Sequence, residues 1–274
     1  MKIYKLSFLF LRLLFEFIEK ETDFMKKYFV LTLLVFMFVS GVSAQKDAPQ
    51  KPSETPKTDI VKNDNAALEL AKAALLAHGG DKFKNMKTLV VKGAVDITTS
   101  AFPQAIPATF ATIFSGDKYR LDLNNPFTPI QQIYDGKETY SSVRGGFTLP
   151  PLNRLGLPLL QKMGEKDFPV SAFIYDKKKR KGFRITSPEG FFTDFYLDEK
   201  TNQVKSYDSS YEINGRNITT NVEVDKYKTV EGVVIPERYA QRFDMGEITA
   251  YADFKAKEIL VNSEVADGIF VLGK

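Results

Sequence analysis

The 274-residue chain has no cysteine, no tryptophan and a single histidine, His78. Without cysteine it can hold no disulfide scaffold, thiolate zinc site, iron–sulfur cluster or cysteine nucleophile. One histidine excludes a His-rich metal site and leaves no second imidazole for a proton relay. Charge is nearly balanced, with 38 Lys and Arg against 34 Asp and Glu. A net charge of +4 supplies no field that argues for nucleic acid. Catalytic signatures are missing too: no G-x-S-x-G elbow, P-loop, G-x-G-x-x-G, H-E-x-x-H or EF-hand spacing occurs. No cofactor, metal or catalytic residue is therefore expected.

What is present begins with a leader. Met25-Lys26-Lys27, the apolar run from Tyr28 to Val42, and Val42-Ser43-Ala44 form a basic n-region, an h-region and a small-residue cleavage signal. This pattern predicts a signal peptide over 25–44, cut after Ala44, and secretion across a membrane. The run falls short of the about 20 apolar residues a bilayer span needs. Residues 1–24 precede an already complete leader, and Lys5, Arg12 and Glu16 break their apolar stretch. They are read as an upstream start artefact, since a charge at a span's centre costs about 2.5–3.5 kcal/mol. The leader region holds six of the basic and four of the acidic side chains, so the mature chain has a net charge of +2.

Residues 45–63 carry Pro49, Pro52 and Pro56 among polar residues and read as a flexible tether. A single domain is expected over 64–274. It opens with a helix: Asp64 or Asn65 can cap it, Leu68, Ala71 and Leu75 with Leu76 form its stripe, and Gly79 ends it. His78 falls in the last turn, where a cation or carbonyl-capping donor is favoured.

Beyond Met86 the period changes from 3.6 to 2. Strands are expected over 88–99, 109–114, 118–123, 131–134, 137–142, 182–187, 191–197, 203–213, 219–227, 233–243 and 248–259. Their connections carry turn chemistry such as Ser115-Gly116-Asp117, Asp135-Gly136 and Asn214-Gly215. The fold class is α+β, mainly antiparallel β: a sheet curled into a sandwich or barrel. The basic run Lys177–Lys181 reads as a solvated turn between strands, with an anionic lipid surface as the alternative.

Residues 145–170 fit neither period. They hold Pro150, Pro151, Pro158 and Pro169 together with Leu152, Leu155, Leu157, Leu159, Leu160 and Met163. A connection this long in one domain is usually functional, and an apolar one must pack on something. It is expected to close over the concave face of the sheet as a lid or plug, with 152–163 as a broken helix. Strand parity nominates Phe110, Phe114, Tyr119, Leu121, Leu123, Phe195, Leu197, Val222, Val224 and Phe254 as an apolar cavity wall. An under-filled sheet of about ten strands encloses a cavity, and apolar cavities bind apolar ligands. Two rival readings remain. One is an envelope interaction module with a packed core. The other is a secreted hydrolase using Asp194 and Asp198, which flank Tyr196.

Several stretches resemble the outer-membrane lipoprotein carrier superfamily (LolA/LolB-like). They are the helix ending Ala77-His78-Gly79-Gly80, the hairpin Ile133–Thr139 with Asp135-Gly136 at its tip, and the turn Tyr196–Thr201. Tyr227–Pro236 and the closing Val261–Phe270 are similar to the family as well. The resemblance spans about residues 64–272. It implies a half-open barrel around a hydrophobic cavity under a helical lid, periplasmic residence, and non-covalent carriage of acyl chains of lipoproteins or other lipids. It also implies envelope partner proteins, and the chain itself is expected to be a monomer. Two features depart from the carriers proper: no arginine aligns with the one that holds their lid, and no cysteine exists for a lipid anchor.

Overall fold

A computed structural model describes residues 64–100, 104–127, 129–142, 152–173, 180–213, 216–245 and 248–271. The leader, the tether and most of the basic run lie outside these residues. All described residues belong to the unit formed by 56–143 and 147–274.

Helix α1 (Asn65–Ala77) starts where the Asp64 carboxylate accepts the Ala66 N–H at 2.9 Å, a side-chain cap for an otherwise orphaned donor. Its buried line is Ala67, Ala71 and Ala74. The expected leucine stripe is thus corrected: Leu68 and Leu75 flank the contact, and Leu76 is 75% exposed. Methyl-sized residues let the helix backbone lie close to its neighbours, and bulkier leucines are turned to the sides. A second short helix, α2 (Asp81–Lys84), buries Phe83. The cap residue His78 is fully buried and hydrogen-bonded to strands at both ring nitrogens; of the two roles its position favoured, it is a donor to a carbonyl, that of Val234 on a strand, and not a cation.

Twelve strands follow: β1 (Thr88–Thr99), β2 (Ile106–Ser115), β3 (Lys118–Asn124), β4 (Ile130–Tyr134), β5 (Thr139–Ser141) and β6 (Val170–Ser171), then β7 (Gly182–Thr186), β8 (Phe192–Leu197), β9 (Val204–Ile213), β10 (Arg216–Val230), β11 (Val233–Met245) and β12 (Ile248–Val261). They form one antiparallel sheet in the order β5-β4-β3-β2-β1-β12-β11-β10-β9-β8-β7-β6. The ends of that order, β5 and β6, do not pair, so the sheet is open.

It is also curled. Tyr119 on β3 lies near enough to Tyr211 on β9 to help raise its pKa, although five strands stand between them in the sheet. A register shift between Lys92 and Gly93 helps bend β1 against β12. Gly93 is required there, because a Cβ would stand 2.1 Å from the Lys255 carbonyl oxygen. One cluster of buried residues joins α1, Phe83, the inner faces of β1, β2, β7, β8 and β11, and the segment after β5.

Candidate functional site

Register decides which residues share the concave face, because directly opposed residues of an antiparallel pair project to the same side. Phe110 opposes Leu123, Thr112 opposes Leu121, and Phe114 opposes Tyr119. Val95 opposes Phe254, which opposes Tyr239, which opposes Val224. Val222 opposes Tyr207, which opposes Phe195. All ten wall residues nominated from sequence parity therefore lie on one face, the face that carries the buried cluster.

Their burial divides them. Phe110, Tyr119, Phe195, Leu197 and Val222 are buried, whereas Phe114, Leu121, Leu123, Val224 and Phe254 are half-buried. The lid covers one part of this face. Its described part forms two 3₁₀ turns, Leu152–Arg154 and Leu157–Lys162, the broken helix expected. Leu159 and Leu160 are wholly buried, and Leu157 and Met163 nearly so, in the same cluster as Phe183, Ile185 and Phe195. Leu155 packs with Tyr211 and Ile218, and Leu152 is half-buried. The segment is a plug over the β6–β9 side. From β10 through β12 to β3 the face is mixed: Val224, Phe254, Phe114, Leu121 and Leu123 are half-buried among buried Val222, Ala252, Val95, Phe110 and Tyr119.

Polar contacts seat this plug. Gly156, at φ +64°, lies against Tyr207, where a Cβ would stand 2.8 Å from the ring. The Gly156 N–H donates to the Thr193 hydroxyl at 3.0 Å, which is itself 2.8 Å from the Ser209 hydroxyl. At the rim, Lys162 pairs with Asp117 at 2.9 Å and Arg154 with Glu189 at 2.8 Å. The Asn153 amide donates to the Asp117 carbonyl at 2.8 Å, and Gln161 donates to the Phe83 and Met86 carbonyls. Beside these contacts opens a cleft of about 210 Å³, lined in part by Leu89, Phe114, Met86, Lys87 and Lys162.

The sequence did not nominate Tyr207 or Tyr239. Both rings lie on the concave face and both are half-buried. Each hydroxyl is nevertheless deep enough that loss of solvent pushes its pKa well above the usual tyrosine range. Deeper in the β3–β4 corner, burial pushes Tyr119 up to about 12, and its hydroxyl accepts from Gln132 at 2.6 Å.

The carboxylates weighed for hydrolysis have other work. Asp194 lies on the opposite face in a bidentate pair with Arg184, at 2.6 and 2.7 Å. Asp198 accepts the backbone N–H groups of Lys200 and Thr201 at a turn, which holds its pKa below the ordinary value. Among the described residues there is no cluster of three metal-ligating side chains, and no helix is long and apolar enough to cross a membrane.

Solved structures similar to this chain include a LolA superfamily protein from Nitrosomonas europaea, at 9% identity and a TM-score of 0.48, covering 75% of this chain and 97% of that one. A DUF1329 family protein from Desulfovibrio piger is 10% identical with a TM-score of 0.44, covering 77% and 98%. A domain assigned to outer membrane lipoprotein sorting from Vibrio parahaemolyticus is 9% identical with a TM-score of 0.42, covering 75% and 96%. The likeness concerns the path of the chain alone. No protein-family profile and no curated protein matches the sequence.

Proposed function

We propose that the protein is a non-enzymatic carrier of the bacterial envelope that holds acyl chains of lipids or lipoproteins against its concave face. One observation carries this reading: on the apolar concave face from β10 through β12 to β3, Phe114, Leu121, Leu123, Val224 and Phe254 are only half-buried. Exposed apolar surface inside a fold is costly unless something covers it, and each methylene buried there contributes about 0.8 kcal/mol. Phe114, Leu121, Leu123, Val224 and Phe254 form the binding wall, and the plug, with Leu152, Leu155, Leu157, Leu159, Leu160 and Met163, shifts to admit the chain. The leader over 25–44 delivers the protein to the periplasm.

A packed interaction module is favoured by a different observation, the complete burial of Leu159 and Leu160. Native mass spectrometry of gently purified protein, with organic extraction and titration of a fluorescent fatty acyl probe, separates the two. Co-purifying lipid or saturable probe binding supports the carrier. A clean apo mass with no probe binding rejects it. In the carrier, Ala252→Phe blocks the probe and the fold survives; in a packed module the same change destabilises by roughly 1–3 kcal/mol.

A further inference from the structure

Strands β9 and β10 separate at one end. Their ladder runs from the pair Arg216–Ile213 to the pair Glu223–Ser206 and stops, whereas β10 continues along β11 as far as Val230–Val233. Register shifts on either side of Lys226 accompany the divergence. Val204, at the start of β9, is still paired with Leu197 of β8 but has no β10 residue opposite it. It is wholly buried, so its backbone N–H and C=O must find partners elsewhere.

Two side chains supply them. Nε2 of His78 accepts the Val204 N–H at 3.1 Å, and the Tyr227 hydroxyl donates to the Val204 carbonyl. The imidazole thus stands where a rung of the ladder is missing. Its other side is fixed to β11: Nδ1 donates to the Val234 carbonyl at 2.9 Å, and the His78 carbonyl accepts the Val234 N–H at 3.0 Å. The helix end is pressed close as well, since a Cβ on Gly79 would stand 2.5 Å from the Gly232 carbonyl oxygen. His78 therefore joins the C-terminal end of α1 to β9 and β11 at once. Helix α1 packs in turn on β6, β7 and the second 3₁₀ turn of the lid.

This joint is vulnerable to a proton. Nε2 holds Val204 only while its lone pair is free; once protonated it is a donor aimed at a donor, within buried surroundings. The groups around the ring are Val204 of β9, Tyr227 of β10, Val234 of β11 and Phe83 of α2. Tyr227 is titratable, but burial pushes its pKa far above the usual range and keeps it neutral. Lys82 of α2 reaches Gly232 of the β10–β11 turn, where it would oppose a second positive charge, and Glu231 of that turn is exposed. No charged side chain contributes to the shift of the His78 pKa, which burial dominates.

We infer that His78 is an acid-operated catch: protonating its ring breaks the Val204 bond, opens the seam between β9 and β10, and frees the C-terminal end of α1 while the other strands stay paired. The inference goes beyond the carrier reading and does not depend on it. In a carrier, the freed end belongs to the helix on which the lid packs, so acid eases the lid's movement.

The test follows the full mature chain by nuclear magnetic resonance from pH 7.5 to 5. His78 is the sole histidine, so carbon-13 labelling of histidine gives one imidazole signal. Amide hydrogen exchange, divided by the intrinsic rate at each pH, is read in parallel. A folded pKa below the unfolded value means that the seam is fully closed above pH 6.5 and loosens as pH falls toward the folded value. Protection of the Val204 and Val234 amides and of the last turn of α1 is expected to drop about 5- to 30-fold, in step with the imidazole, with β1 and β12 unchanged. His78→Gln should show the looser seam throughout and no pH dependence. Tyr227→Phe removes the other bond to Val204 and should loosen the seam while keeping the pH dependence. The inference is overturned if the imidazole titrates without loss of protection at the seam, if it is still neutral at pH 5, or if β1 and β12 lose protection equally. It is also overturned if His78→Gln keeps the wild-type pH dependence; should that variant not fold, the wild-type and Tyr227→Phe data decide. No lipid probe enters these measurements, so their failure leaves the carrier reading standing.

Discussion

The backbone N–H of Val204, at the start of β9, donates to Nε2 of His78 at 3.1 Å across 126 positions of chain. Nδ1 of the same ring donates to the Val234 carbonyl of β11 at 2.9 Å. The ring must therefore be neutral, protonated on Nδ1 and accepting at Nε2. Edge contact with Tyr227 at 5.1 Å closes its surroundings, and burial lowers its pKa from 6.5.

Stability is accordingly expected to depend on pH through this one ring. A folded-state pKa below the unfolded value means that the contribution is complete above pH 6.5 and is lost as pH falls through 6.5 toward the lowered folded value. The carboxylates whose pKa values are lowered, Asp135, Asp198 and Glu237, act only below the ordinary carboxylate range, so the window between pH 7.5 and 5 isolates His78. Urea midpoints should drop across that window in the wild type, with a slope of up to about 1.4 kcal/mol per pH unit. His78→Gln should be less stable throughout and should lack the slope. The same slope in both proteins would assign it to another group.

Leu160 tests the seating of the plug. It has no exposed surface, and its neighbours in the cluster include wholly buried residues of β7 and β8. Leu160→Ala should cost about 2–5 kcal/mol in urea denaturation if the segment is part of the core. A cost under about 1 kcal/mol would mean that the site collapses freely and the plug is loosely held.

Asp194→Asn removes the bidentate partner of Arg184 on the convex face, where both side chains are only 13% exposed. Breaking such a pair leaves the guanidinium, which also lies 3.7 Å over the Phe192 ring, without its counter-charge. A destabilisation of about 1–3 kcal/mol is expected, below that of a fully buried pair because water still reaches both groups. Acyl-probe binding should not change. A hydrolytic activity lost in Asp194→Asn with the fold intact would point instead to carboxylate chemistry.

How legible this architecture was depended on element length and on which faces are covered. Strand β1 occupies the same residues, Thr88–Thr99, that alternation indicates, and most other strands differ only at their ends. The two residues of β6, the four of α2 and the 3₁₀ turn Asp267–Phe270 are too short to show a period. Alternation showed which nominated residues share a face but not which face looks inward, because the convex face also buries apolar groups. Val90 and Ile133 share that face with Arg120, whose guanidinium donates to the Ile269 carbonyl of the docked C-terminal turn. Tyr207 and Tyr239 went unnoticed although alternation was present in Tyr207-Ser209-Tyr211 and Tyr239-Gln241-Phe243. Nothing in a period-2 pattern tells a packed tyrosine from one whose hydroxyl is left without a partner. Leu76 misled in the opposite way, since helical spacing alone does not reveal that alanines make the closest approach.

An open sheet must also guard its two ends against other sheets. Here the terminal strands are only three residues, Thr139–Ser141, and two residues, Val170–Ser171, and the latter is tied down where the Asp64 N–H donates to the Val170 carbonyl at 3.0 Å. Such stubs offer almost no unpaired ladder to a neighbouring chain. Pairing of the described borders with the sheet of a second copy is thereby disfavoured.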